Sequence, residues 1–247
     1  MPTQDPTAPE LFRLAVDLSP SGMMAVDKKG AILLVNREIE RLFGYTRDEL
    51  YGKSIDLLVP QRFRSHHPEF RTEYFTQPSA RRMGMGRDLF GLRKDGTEFP
   101  VEIGLNPVET PAGLVVLASV VDISARKRAE QRFQAAVESA PSGMVMTDRA
   151  GVILLVNREV ERLFGYAREE PIGKRVEMLV PERFRGNHPG HRGGFYTDPK
   201  SRSMGSGRDL FGLAKDGTEV PVEIGLNPIH MDDGIYVLSS IVDITAR

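Results

Sequence analysis

The sequence predicts an α+β protein built twice: two five-stranded antiparallel sheets, each with short helices over one face, joined by an amphipathic helix. Three observations carry this expectation. Long identical strings occur twice at one fixed spacing, short alternating apolar segments are punctuated by turn clusters, and a charged stretch with helical apolar spacing separates the repeats.

The spacing is constant over the whole chain. Gly22 and Gly143, Asn36 and Asn157, His67 and His188, and Asp122 and Asp243 each differ by 121 positions, so no insertion separates the copies. The strings ILLVNRE, ERLFGY, GRDLFGL, KDGTE and VEIGLNP appear in both. A period of this length is a whole domain rather than a solenoid unit. The chain of 247 residues is long enough for two cores of ordinary size. The expected organisation is a tail and helix over 1–18, a first domain over 19–123, a connector helix over 124–140 and a second domain over 141–247.

Within the first copy, Gly22 to Asp27 and Ala31 to Val35 are short apolar segments joined by Asp27-Lys28-Lys29-Gly30, which reads as a hairpin. Asn36 stands where a helix N-cap belongs, Ile39, Leu42 and Phe43 follow at helical spacing, and Gly44 is a C-terminal stop. The stretch from Arg47 to Phe75 reads as short helical pieces broken by Pro60 and Pro68. Arg87 to Arg93, Thr97 to Leu105 and Leu114 to Asp122 read as strands, with Asp95-Gly96 as a hairpin turn. Ser124 is the expected N-cap of the connector, in which Ala125, Ala129, Phe133, Ala136 and Ala140 recur at helical spacing. Phe12, Ala15 and Val16 match Phe133, Ala136 and Val137, so the same kind of helix precedes each domain.

Composition removes several classes of function. Lys and Arg number 33 against 34 Asp and Glu, a net charge of −1, which denies the chain the broad basic field that nucleic-acid backbones attract. With no cysteine there can be no disulfide, thiolate zinc site, iron–sulfur cluster, cysteine nucleophile or cysteinyl–flavin photoadduct. The opening MPTQDPTAPELF lacks a basic flank followed by an apolar run, and the apolar stretch from Leu114 to Val121 is too short to span a bilayer. The expected location is cytoplasmic, with no membrane span.

Element order, the strings VNRE(I/V)ERLFGY and RKDGTEFPVEI, and the closing Val-Asp-Ile-(Ser/Thr) together resemble PAS sensory domains in both copies. The resemblance implies a sensory module. Its signal would pass from beneath the sheet through Asp122-Ile123-Ser124 and Asp243-Ile244-Thr245 into a helix that drives an output domain, such as the kinase of a two-component system. Asp122, Ser124, Asp243 and Thr245 are equally readable as residues that end a strand and cap a helix.

The segment RSHHPEFRTEYFTQPSARRMGMGRDLFGLRKDGTEFP resembles the haem-binding PAS domains of bacterial oxygen sensors, rhizobial sensor kinases among them. That resemblance implies haem b held by His67 and His188, each seven residues beyond a Leu-Val-Pro turn. It implies Arg87 and Arg208 as hydrogen-bond donors to a diatomic gas (oxygen, CO or NO), and Met85 as a second iron ligand. Leu58, Phe70, Tyr74, Ile103 and Leu105 would supply the apolar walls that such a site needs. The sequence departs from the pattern at Glu73 and Gly194, where the oxygen sensors place a propionate-binding arginine, and at Arg82 and Ser203, which replace an apolar residue. Gly193-Gly194 would also weaken the helix that carries His188. The alternatives are a haem-free module for homodimerisation and relay, or a flavin site.

Other constellations are weaker. His188 and His191 are spaced to share a helix face as zinc ligands, but no third ligand accompanies them. Arg81, Arg82, Arg126, Lys127 and Arg128 read as solvated surface, and Glu102 and Glu223 as strand positions facing water or a partner. Gly84 and Gly86 lack the Gly-Lys-Ser/Thr of a phosphate loop. No nucleophile elbow, kinase, cyclase or phosphodiesterase motif is found, so the expected chain is a regulatory region without turnover.

Overall fold

The computed structural model describes residues 8–83, 86, 88–111, 113–204 and 209–246. The chain forms two compact units, 1–129 and 130–247.

In the first unit, α1 (Ala8–Asp17) precedes β1 (Gly22–Asp27) and β2 (Ile32–Val35). Then come α2 (Arg37–Phe43), α3 (Arg47–Leu50), a 3-10 turn (Ile55–Leu58), α4 (Gln61–Arg64) and α5 (His67–Thr76). The remaining strands are β3 (Arg81–Arg82), β4 (Leu89–Leu92), β5 (Glu98–Thr110) and β6 (Gly113–Asp122), followed by α6 (Ser124–Glu138). Neighbouring strands run β2-β1-β6-β5, with β3 and β4 both paired to β5, and every pairing is antiparallel.

The second unit repeats this plan with β7 (Gly143–Thr147), β8 (Ile153–Val156), α7 (Arg158–Phe164), a 3-10 turn (Val176–Leu179), α8 (Glu182–Arg185) and α9 (His188–Phe195). Its later strands are β9 (Arg202–Ser203), β10 (Leu210–Leu213), β11 (Glu219–Met231) and β12 (Gly234–Asp243), in the order β8-β7-β12-β11-β10 with β9 on β11.

Local chemistry explains the repeated elements. Asp27 closes the first hairpin by accepting from the Lys29 and Ala31 amides at 2.8 Å, and Gly30 takes the positive φ of 86° that the turn requires. Asn36 caps α2 by accepting from Ile39, and Gly44 ends it in the left-handed conformation at φ 76°. Ile39, Leu42 and Phe43 then pack with Met24, Leu50, Leu58, Phe99 and Val120 in one core. Val160, Phe164, Val145, Ile153, Leu179 and Val222 form the second core. Each fully buried aliphatic or aromatic side chain of this kind contributes about 1.5–3 kcal/mol.

Several sequence expectations need correction. The strand expected to end at Leu105 continues to Thr110 through Pro107, because beyond Leu105 only β6 is paired with it and the other side is an edge, where proline is tolerated. Arg81 and Arg82 add a sixth, two-residue strand. Pro68 does not break a helix; it lies in the first turn of α5, where the missing N–H has no helical partner to lose. The Gly193-Gly194 pair shortens its helix without abolishing it: α9 has 8 residues against 10 for α5. Ser124 is the first helical residue rather than the N-cap, since the Ile123 carbonyl already accepts from the Lys127 amide at 2.9 Å. No helix among the described residues is long and apolar enough to cross a membrane.

Candidate functional site

His67 opens α5, and its side chain is only 17% exposed. Nδ1 lies 2.6 Å from Oδ1 of Asp56 on the 3-10 turn. Arg71, one turn further along α5, reaches the same carboxylate at 3.3 Å, and the Ser54 hydroxyl donates to its other oxygen at 2.8 Å. The guanidinium lies against the first hairpin: a Cβ at Gly30 would fall 2.5 Å from Arg71 Nη1, the movable end of that side chain, so it is the positive φ that requires glycine in this turn. Burial pushes the Asp56 carboxyl up, but the His67 and Ser54 hydrogen bonds and the neighbouring positive charge outweigh it and hold the group below the usual range. An ionised carboxylate on Nδ1 keeps the proton of a neutral imidazole there and leaves the lone pair on Nε2.

The second copy builds the same triad from a longer acid. His188 Nδ1 is 3.0 Å from Glu177 Oε1, and Arg192 is 2.5 Å from that same oxygen. Burial again raises the carboxyl, and the His188 bond with the Arg192 charge brings it below its usual value. Arg175 stands where the first copy has Ser54, and Glu177 Oε2 is buried without a hydrogen-bond partner among the described residues.

The sequence reading found both histidines but not their carboxylates or arginines. The signal was in the repeat: an acid recurs 11 positions before each histidine and an arginine four positions after it. Of the expected walls, Leu58 and Tyr74 are buried at 3% and 4% exposure, and Ile103 and Leu105 pack against the core in part. Phe70 differs, being 52% exposed, and does not belong to this buried set. Met85, Arg87 and Arg208 lie outside the described residues, as do Gly84 and the rest of the 205–208 segment. His191 is exposed, and no group of three or more His, Cys, Asp or Glu suited to a metal occurs among the described residues.

The donor set fits a haem iron in one respect that the structure supplies. Each copy holds one mostly buried imidazole whose Nδ1 is engaged by a carboxylate, an arrangement in which Nε2 would be the nitrogen able to hold an iron.

A second cluster lies at the end of the first sheet. Asp122 accepts from the Ser124 amide at 2.8 Å and from Arg93 at 3.0 Å. Arg93 also donates to the Leu42 carbonyl at the end of α2, and its guanidinium carbon sits 3.8 Å over the Phe99 ring. Arg126 and Lys127, expected as solvated surface, pair with Glu102 at 2.6 Å and Asp88 at 2.5 Å and tie the start of α6 to the first unit. In the second copy Asp243 accepts from the Thr245 amide at 2.8 Å and hydroxyl at 2.5 Å.

The entry helices are tied as well, through a residue that the sequence marked only as a cap. Asn36 is fully buried: its oxygen accepts from Met23 and Ile39, and its amide donates to Ser21 and to the Val16 carbonyl of α1, both at 3.0 Å. Asn157 repeats all four bonds with Met144, Val160, Ser142 and Val137 of α6. Arg47 pairs with Asp17 at 2.8 Å, and Arg168 with Glu138.

The sequence profile of the PAS fold matches residues 10–123 and 131–244. The chain belongs to the PAS family. Each unit is thus one PAS domain with its preceding helix. Among curated proteins, the oxygen sensor protein DosP of Escherichia coli is 29% identical over 183 residues, 72% of this chain and 23% of that protein. The sensor protein FixL of Bradyrhizobium diazoefficiens is 30% identical over 115 residues, 47% of this chain and 23% of that protein. The chain therefore spans less than a quarter of either relative. Among solved structures, the PAS domain of an HTR-like protein from Haloarcula marismortui is 20% identical, covers 49% of this chain and 95% of its own length, and superposes with a TM-score of 0.43.

Proposed function

We propose that this chain is the input region of a cytoplasmic signalling protein that senses a diatomic gas with haem b held by His67 and His188. The observation that carries the reading is the triad of imidazole, carboxylate and arginine at the head of α5 and again of α9. Haem b would supply an iron able to bind oxygen, CO or NO. The protein's own residues would do the rest. Asp56 and Glu177 fix the imidazole tautomer, Leu58, Tyr74, Ile103 and Leu105 exclude water, and Arg87, Arg208 and Met85 are the residues proposed for the gas side. A change at that side would reach Asp122 through β5 and β6, and Asp243 through β11 and β12. Ser124 would pass it to α6, with Thr245 as its counterpart in the second domain, biasing a two-state homodimer that acts on a kinase or other output domain. In this reading the chain has no turnover of its own.

A second reading, a haem-free relay module, is favoured by the junction itself. Arg93 links α2, the β4–β5 turn and Asp122 through protein groups alone. Reconstitution with haemin separates the two. The expected result is a Soret band that weakens in His67→Ala and in His188→Ala and is lost in the double variant; identical spectra for wild type and double variant would sink the haem reading and leave the relay.

A further inference from the structure

We infer that the second domain carries a binding site for a small organic ammonium compound, a free amino acid or a diamine, in a cleft at one end of its sheet. The inference stands apart from the haem reading, because it concerns groups that the first domain lacks.

The cleft has a volume of about 460 Å³ and is walled by Asp148 and Arg149 on the β7–β8 turn, by Tyr196 at the end of α9, and by Asp233 and Tyr236 where the chain turns from β11 into β12. Both phenol hydrogens are already spent on the protein: Tyr196 donates to the Asp148 carbonyl at 3.0 Å, and Tyr236 to Asp233 Oδ2 at 2.7 Å. The Asp233 hydrogen bond pushes the Tyr236 phenol up from its ordinary value, and burial with the Asp148 charge does the same for Tyr196, so both stay protonated. What the two phenols have left to offer is lone pairs, and no Lys or Arg among the described residues pairs with the Asp148 or Asp233 carboxylate. A ligand that brings N–H donors and a positive charge completes such a set, and tyrosine ring faces favour the same charge. A metal ion suits it less, since no group of three or more His, Cys, Asp or Glu suited to a metal occurs among the described residues. Arg149, its guanidinium carbon 5.8 Å from the centre of the Tyr196 ring, adds a positive group to the wall, a partner for the carboxylate of an amino acid.

The first domain shows that the fold does not require these groups. At the positions 121 residues earlier, Phe75 stands for Tyr196, Val115 for Tyr236, Pro111 and Ala112 for Asp232 and Asp233, and Lys29 for Ala150. Strands of the same order and pairing form there without them. The differences run one way, toward acceptor oxygens and negative charge, and Ala150 leaves a methyl group where the first copy carries an ammonium. From the cleft, β12 runs to Asp243 at the domain's exit, so an occupant is placed to bias that exit as a second input.

The test is amide NMR of the isotopically labelled full chain, titrated separately to millimolar concentration with each common amino acid, putrescine, propionate and calcium chloride. Resonances of residues 148–150 and 233–236 should shift with an amino acid or with putrescine, while those of 27–29 and 113–115 stay in place. Ala150→Lys and Asp233→Ala, which restore the first copy's residues at exposed positions, should each weaken binding about tenfold or more. An amino acid should also lose affinity in Arg149→Gln and putrescine should not, which tells the two sources of the ammonium apart. Silence from every ammonium compound, an equal shift with propionate, a response to calcium chloride alone, or affinity unchanged in both Ala150→Lys and Asp233→Ala would overturn the inference and leave the haem reading untouched.

Discussion

The two PAS domains share sheet order and the buried asparagine, and the second has turns where the first has α3, yet they part most clearly at one end of the sheet. In the first, Arg93 stacks on Phe99 at 3.8 Å and holds Asp122 at 3.0 Å. At the corresponding positions the second domain has Ala214 and Val220, so its junction carboxylate, Asp243, keeps the local bonds to Thr245 and lacks the long-range one. Both members of the stacked pair have changed together. The local turn survives because an aspartate two residues before a Ser or Thr amide makes it alone, whereas the link to α2 needs a guanidinium and a ring face in the same place.

The largest effect expected is on what the domains share. Asn36→Ala and Asn157→Ala each strand buried backbone groups in the same pattern, and each should cost roughly 3 kcal/mol in urea unfolding. A difference between them of more than about 1 kcal/mol would mean that the two asparagines are not equivalent despite matching bonds.

The junction should separate the domains more modestly. Arg93→Ala makes the first domain resemble the second and should cost about 1–2 kcal/mol, from the lost carbonyl and carboxylate bonds and the lost stacking. Ala214→Arg should return nothing in the second domain, because Val220 offers no ring face. If the two substitutions shifted stability by equal and opposite amounts, stacking would not be the reason for the difference.

Acid titration sharpens the comparison with the smallest effect. Burial pushes the Asp122 carboxyl up, but the Ser124 bonds and Arg93 outweigh it, so the folded-state pKa lies below the ordinary aspartate value. A depressed carboxyl stabilises the fold fully above the unfolded value, and that contribution is lost as pH falls from about 4 through the lowered pKa. Asp243 is lowered as well, by Thr245. Arg93→Ala should flatten the acid limb of the first domain and leave that of the second unchanged, as read by fluorescence-detected or NMR-detected unfolding between these pH values.

Much of the fold could be read from the chain before any coordinates. The repeat at 121 positions, the Asn36 cap with its Gly44 stop and the Asp95-Gly96 turn are local patterns, each fixed by the backbone preferences of a few adjacent residues. The histidines were singled out by the resemblance to haem-binding PAS domains rather than by any local backbone pattern. Their common partner was not: Arg71 follows His67 at helical spacing, but Asp56 stands 11 positions before it, a spacing no single helix or strand period explains, because α4 intervenes and the chain folds the acid back onto α5.

What the sequence determined by itself is therefore the architecture of each domain and the residue types available to a site: a histidine repeated at the same place in each copy, no cysteine, and an Asp-x-Ser/Thr at each exit. What only the tertiary structure decided is which charges meet. Asn36 reaching α1, Arg71 lying over Gly30 and Arg93 bridging Leu42, Phe99 and Asp122 all join residues far apart in sequence. Hydrogen bonds and ion pairs act over a few ångströms and depend on direction, so they form only once burial of the apolar faces has brought the elements carrying them together.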